Sequence, residues 1–176
     1  MKASWAAIAA IAIASPTAAQ MDHANHAPAV DGVRALYETV KGYITRSAEQ
    51  MPEADYAFKP TPEVRSFAGI LGHIANANYM FCSTALGEES PSQQDAEELT
   101  SKTELQAALA ASFEYCDRAY GISESQAMEP VQVFGRDATK LYALEFNMGH
   151  DFEHYGNLVT YLRLKGMVPP SSQRGQ

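Results

Sequence analysis

The chain has 176 residues and a formal charge of −8 at neutral pH, with 13 Lys and Arg against 21 Asp and Glu. That balance, with no basic run anywhere, excludes the electrostatic footprint of a nucleic-acid binder. The length suits one domain with its own core, and two cysteines are too few for a disulfide scaffold.

The first stretch reads as a targeting segment. Lys2 precedes an apolar run from Trp5 to Ala14, followed by Ser15-Pro16-Thr17-Ala18-Ala19. A positive start, a short apolar run and a small-residue cleavage site make a secretory signal peptide over 1–19. The run is too short to span a bilayer as a helix, although an uncleaved anchor is the alternative. The expected mature chain starts at Gln20, carries a charge of −9 once Lys2 is gone, and is exported to a periplasm or secreted, with no membrane segment. Residues 20–30 form a polar leader without periodicity. Its His23 and His26 are expected to be incidental. Cleavage after Gln20 would change that, because Met21-Asp22-His23 would offer a free amine and a third-position imidazole to copper or nickel.

Four helices follow. The first spans about 32–50, with Val33, Leu36, Tyr37, Val40, Ile44 and Ala48 at helical spacing, Asp31 as its N-cap and Pro52 closing it. Pro60 and Pro62 keep 53–64 from being helical throughout. The second spans about 66–86, capped by Ser66 and stopped by Gly87, with Phe67, Ile70, Leu71, Ile74, Ala77 and Phe81 on one stripe. After a polar connection, Ser101 caps the third helix, Glu104 completes a capping box, and Gly121 ends it. A loop with Pro130, Val131, Val133 and Phe134 leads to the last and longest helix, about 138–165. Asp137 is its expected cap, and Gly166 with Pro169-Pro170 its stop.

No stretch reads as a sheet. The fold class is therefore all-α, a four-helix bundle over 31–172 with a short tail at 173–176. The connection between the second and third helices, about fourteen residues, can extend over roughly 40 Å, more than the ~30 Å of a twenty-residue helix. Those two helices can then run parallel, in an up-down-down-up order that sets Cys82 and Cys116 at similar heights. A disulfide between them is possible, but two buried free thiols are the favoured reading.

The chemistry concentrates in His150-Asp151-Phe152-Glu153-His154. Two imidazoles one turn apart share a helix face and can converge on one ion. His73, in the second helix, is the only other histidine in a segment expected to be structured. On the last helix Leu141, Leu144, Met148, Phe152, Tyr155, Val159 and Leu162 form the apolar arc. Asn147, His150, His154, Leu158 and Tyr161 run beside it, so the histidines flank the core face as His73 does on its own helix. Three facing imidazoles need partners for their nitrogens, and one divalent ion satisfies all three. Zinc is favoured, with nickel, iron and copper open. The bland alternative is one buried histidine and two at the surface.

Asp151 and Glu153 flank the pair. Either would orient a ligand imidazole or act as a catalytic base on a metal-bound water; the alternative is a pair of solvated helix charges. Tyr155, Asn147 and Asn157 are further candidates to line a pocket. His150-x-x-Glu153-His154 also matches the inverted zincin pattern. No acidic residue follows His154 to supply the further ligand, so a protease is not expected.

Two segments carry a family resemblance. They are Ser66-Phe67-Ala68-Gly69-Ile70-Leu71-Gly72-His73-Ile74-Ala75 and Gly149-His150-Asp151-Phe152-Glu153-His154-Tyr155-Gly156-Asn157, the latter followed by Tyr161-Leu162-Arg163 and Gly166-Met167-Val168-Pro169-Pro170. Over 33–172 the chain resembles the DinB/YfiT-like metal-binding four-helix proteins, the damage-inducible family and not the polymerase of similar name. The resemblance implies an up-down-down-up bundle and a three-histidine metal site at His73, His150 and His154. It further implies a small-molecule substrate, with a low-molecular-weight thiol as in the S-transferases and isomerases of that family, and leaves a homodimer open. Tyr155 and Asn157 depart from the family's more usual H-x-x-H-R-G-Q ending. The expected function is a metal-dependent thiol transferase or hydrolase, with a non-catalytic metal-binding or structural protein as the alternative.

Overall fold

The computed structural model describes residues 29–173. The expected signal peptide, nearly all of the leader with His23 and His26, and residues 174–176 lie outside them. Among the described residues the long helices are α1 (Ala29–Gln50), α2 (Phe67–Leu86), α3 (Lys102–Tyr120) and α5 (Lys140–Leu164), with a short α4 (Glu124–Ala127) before α5. None is long and apolar enough to cross a membrane.

The neighbours of each helix end decide where it starts. The N-cap roles expected of Ser66 and Ser101 are present, each side chain accepting from the backbone N–H three residues on. Glu104, however, accepts a hydrogen bond from the Ser101 hydroxyl at 2.6 Å, where a capping box requires the Ser101 backbone N–H. The full box forms at Ser123 and Gln126 instead. Among the described residues helix α1 runs from Ala29, so Asp31 lies inside the helix and does not cap it. The Glu124 carboxylate of α4 accepts from the Ala29 and Val30 N–H groups at 3.3 and 3.2 Å, a cap that comes from 95 residues away in sequence and leaves no local signal.

The expectation of no sheet is corrected by a small hairpin. Strands β1 (Pro130–Val133) and β2 (Arg136–Thr139) pair antiparallel, Val133 opposite Arg136. The two-residue turn between them has Phe134 at φ 51° and Gly135 at φ 72°. Both lie in the left-handed region that a tight hairpin turn demands, and a bulky L residue there costs about 1–2 kcal/mol. Two four-residue strands, the first led by a proline, carry too little alternation to be read. Asp137 consequently sits in β2, bonded to the Gln132 side chain. Thr139 caps α5, accepting from Tyr142 N–H at 3.2 Å.

Side-chain pairs give the helix directions. Helices α2 and α3 run parallel, since Asn78 meets Ser112 at 3.2 Å and Cys82 meets Cys116 one turn further along both. Helices α1 and α3 run antiparallel: Tyr37 bonds Asp117 at 2.9 Å and Lys102 bonds the Met51 carbonyl at 2.8 Å. Tyr161 donates to the Arg65 carbonyl at 2.5 Å while Phe81 meets Phe146, so α2 and α5 are antiparallel. Tyr43 stacks on Tyr155 at 4.9 Å and Gln50 bonds the Val168 carbonyl at 3.3 Å, so α1 and α5 are parallel.

This layout overturns the favoured reading of two free thiols. Cys82 and Cys116 are fully buried and form a disulfide, with Cα atoms 5.2 Å apart. Parallel packing over the long connection sets them level. The core between the helices is filled by Tyr37, Ile44, Leu71, Ile74, Leu105 and Leu158, all at zero exposure.

Candidate metal centre

His73 projects from α2 and His150 and His154 from α5, one turn apart on the same face. Antiparallel packing brings the three together. Nε2 of His150 lies 3.2 Å from Nε2 of His73 and 3.0 Å from Nε2 of His154. Ligand nitrogens at about 2.0–2.1 Å from a tetrahedral ion stand roughly 3.3 Å apart; these two separations are near that spacing, and all three donors lie within 4.8 Å of one another, close enough to share one divalent cation. It is the one such cluster of three His, Cys, Asp or Glu residues among the described residues.

Two of the three outward nitrogens are held as ligand histidines require. His73 Nδ1 faces Glu97 Oε1 at 2.8 Å and His154 Nδ1 faces Asn157 Oδ1 at 3.1 Å. A proton on each Nδ1 leaves Nε2 as the free lone pair. His150 Nδ1 is buried without a partner. Burial first, then the charges of His154, His73 and Arg65, push the His150 imidazole down to about 4. Burial also lowers His154. Both rings are therefore neutral at neutral pH, the form that binds a metal.

Glu97 reaches His73 because the polar connection docks on α2 in a one-turn 3-10 helix, Ala96–Glu98. Gly72 permits the approach: a Cβ there would overlap the Ala96 carbonyl and come within 2.8 Å of Glu97 Cα. Asn76 fixes the turn, accepting from Ala96 N–H at 3.0 Å and donating to Asp95 at 2.5 Å. Arg65 donates to the far oxygen of Glu97 at 3.0 Å. Burial pushes the Glu97 carboxyl up, but the hydrogen bonds and charges of Arg65 and His73 prevail and hold it below its usual range. Sequence reading missed Glu97, because it lies in a connection with no periodic pattern. Gly72-His73 with Asn76 on one helix face is the signal that something packs there.

The inner face of α5 differs from the expected arc. Met148, Phe152 and Val159 are half-buried, whereas Asn147 and Asp151 are fully buried. The helix packs on α1 and α2 at once, so its inward direction lies between the two expected stripes. Asp151 thus stands in the core beside Tyr37 and Tyr120 and not among the histidines. Neither carboxylate oxygen has a hydrogen-bond partner, and burial raises its pKa well above the usual range. Asn147 donates to the Tyr120 hydroxyl at 3.2 Å, and Tyr155 donates to Ser171 at 2.7 Å, pinning the C-terminal turn. Glu153 is exposed, on the rim of a cleft of 480 Å³ that Arg65, His154, Asn157 and Tyr161 also line.

A family model described as the DinB superfamily matches residues 36–158. The chain belongs to the DinB superfamily. The uncharacterized protein YjoA of Bacillus subtilis strain 168 is 29% identical over 127 residues, 68% of this chain and 79% of YjoA. The crystal structure of that DinB-like protein matches with a TM-score of 0.62 at 21% identity, covering 82% of this chain and 99% of the other. A DinB-like protein from Bacillus cereus gives a TM-score of 0.70 at 14% identity, over 80% of this chain and 95% of its own. A mycothiol-dependent maleylpyruvate isomerase gives 0.61 at 17% identity, over 73% of this chain and 60% of the isomerase. At these identities the structural likenesses establish the DinB-like helical-bundle fold alone.

Proposed function

We propose that this DinB-family chain is a metal-dependent enzyme that activates a thiol or a water at His73, His150 and His154. Zinc is the ion we propose, since three imidazoles with a fourth position free are a catalytic zinc set, and nickel, iron and copper also suit imidazole. The observation that carries the reading is the convergence of three Nε2 atoms, with two of the Nδ1 atoms turned outward onto Glu97 and Asn157. A bound divalent ion would lower the pKa of a thiol or water beside it. Glu97 and Asn157 keep the rings in the binding tautomer. The 480 Å³ cleft beside His154 has room for a small thiol, and Glu153 on its rim can take up the proton that the nucleophile loses. The buried position of Asp151 favours Glu153 over it in that role.

We also propose that the chain works outside the cytoplasm. The Lys2 and 5–14 segment supports export, and so does the buried Cys82–Cys116 disulfide, since such bonds persist in oxidising compartments.

Elemental analysis of the purified protein tests the site. One metal per chain is expected in the wild type and none in a His150→Ala, His154→Ala double variant that keeps its helical circular dichroism. Zinc at a hundred times its Kd should raise stability by about 2.7 kcal/mol, read as a higher melting temperature. A wild type that takes up no zinc, nickel or copper, or a double variant that retains the ion, would overturn the reading.

A further inference from the structure

On the side of the histidines away from the Arg65 cleft, the α2–α5 seam turns aromatic. Phe81 of α2, Phe146 of α5 and Phe134 at the hairpin tip form a triangle with ring centroids 5.0, 5.1 and 5.7 Å apart. The Phe81 ring stands 6.0 Å from the His150 ring, so the cluster is continuous with the candidate metal centre. Phe81 is covered, but Phe134 is 64% and Phe146 36% exposed. Apolar side chains clustered beside a small set of convergent polar groups are the usual lining of a small-molecule site.

A second, independent observation concerns the backbone. Phe134 holds φ 51° in a turn position that Asn or Gly occupies without strain. The hairpin itself does not need an aromatic there, and the ring packs on Phe81 and Phe146. Backbone strain retained beside a functional site, in order to aim one side chain, is the pattern of a binding residue.

We propose that Phe134 and Phe146 form an apolar subsite of the three-histidine centre, which seats a flat apolar group of the electrophilic substrate. The thiol or water approaches from the polar cleft on the opposite side. The substrate class is therefore a small molecule that pairs a metal-directed oxygen with an aromatic or conjugated apolar portion. One helical turn, about 6 Å, separates His150 from Phe146, so donor and ring need only a short spacer. The proposal rests on the metal-enzyme reading above.

The full chain loaded with cobalt(II) is titrated with acetohydroxamate and benzohydroxamate, which differ in the ring, and binding is read from the visible spectrum. Benzohydroxamate is expected to bind about ten-fold more tightly, and Phe134→Asn to reduce that preference to about two-fold or less. Asn suits the turn, so this variant should fold and melt no lower than the wild type. Its acetohydroxamate affinity should change less than about two-fold, separating the subsite from the metal. Phe146→Ser should act in the same direction. Equal affinities in the wild type, or a ring preference that survives both substitutions, overturns the proposal while leaving the metal site standing. A chain that binds no cobalt, or cobalt that no hydroxamate perturbs, overturns it together with the reading beneath it. A dimer by sedimentation that Phe134→Asn dissociates assigns the patch to self-association and overturns the substrate role.

Discussion

Helix α2 is secured to its two neighbours in different ways. Towards α3 the seam is covalent, closed by Cys82–Cys116 and by the Asn78–Ser112 hydrogen bond one turn earlier. Towards α5 the seam is closed at its centre by three imidazoles whose inner nitrogens have only one another. A bond that fixes α2 against α3 fixes His73 as well, since both cysteine and histidine ride on the same helix. The permanent constraint thus lies on the flank without chemistry. The other flank is held without a covalent bond, by the Tyr161 hydrogen bond to the Arg65 carbonyl and the Phe81–Phe146 contact on either side of the imidazoles, so the two seams should respond to different perturbations.

The largest effect should come from the covalent seam. A Cys82→Ala, Cys116→Ala variant loses a crosslink across 34 residues. In the chain-entropy account this removes about 3–4 kcal/mol of stability. The denaturant midpoint of the variant should match that of wild type under reductant and fall below that of oxidised wild type. Zinc affinity should fall far less than stability, because packing alone still holds α2 near its place. Equal midpoints for variant and oxidised wild type would show that the crosslink constrains nothing.

The two seams also differ in how far they could be read from the chain. The histidine trio was legible because a helix repeats every three to four residues, and the spacing of His150 and His154 encodes a shared face directly. The four long helices were legible for the same reason. Glu97 was not, because its position depends on Gly72 leaving room for a connection to touch α2, a contact between segments with no shared period. The disulfide needed the relative direction of two helices, which sequence constrains only through loop length. Asp151 was misplaced because a polar residue on an otherwise apolar face carries no hydrophobic signal for its own burial. The hairpin was missed because two four-residue strands around Phe134-Gly135 show almost no alternation.

A smaller effect probes the ionic seam through its support. Glu97→Ala removes the acceptor at His73 Nδ1 together with the charge shared with Arg65. Losing an outer-shell partner of this type lowers metal affinity about 10–100-fold. Competition against a zinc chelator should show that drop with little change in the stability of the metal-free chain, because the Arg65–Glu97 pair is partly exposed. Undiminished affinity would mean that Glu97 merely pairs with Arg65 and does not orient the imidazole.

The smallest effect is a pH response confined to the histidine seam in the metal-free chain. Burial lowers His150 from 6.5 to about 4 in the fold. Between those values the unfolded chain binds the extra proton, so stability falls as pH drops from about 6.5 and levels off near 4. His154, lowered by burial as well, adds in the same sense. Asp151 works in the opposite sense. Its raised pKa gives a contribution that is complete below 3.8 and is lost as pH rises through the folded value. The two slopes partly cancel in the wild type, and Asp151→Asn should expose the histidine slope, joined near the lower end of the range by Glu97, whose lowered carboxyl acts in the same sense. That variant is expected to lose roughly 1–2 kcal/mol between pH 6.5 and 4, with a steeper melting-temperature profile than wild type over the same range. Asn also removes a buried carboxyl that has no partner, so the variant should be the more stable of the two above neutrality. A variant profile no steeper than that of wild type would mean that the histidines gain their protons in the folded seam as readily as in the unfolded chain.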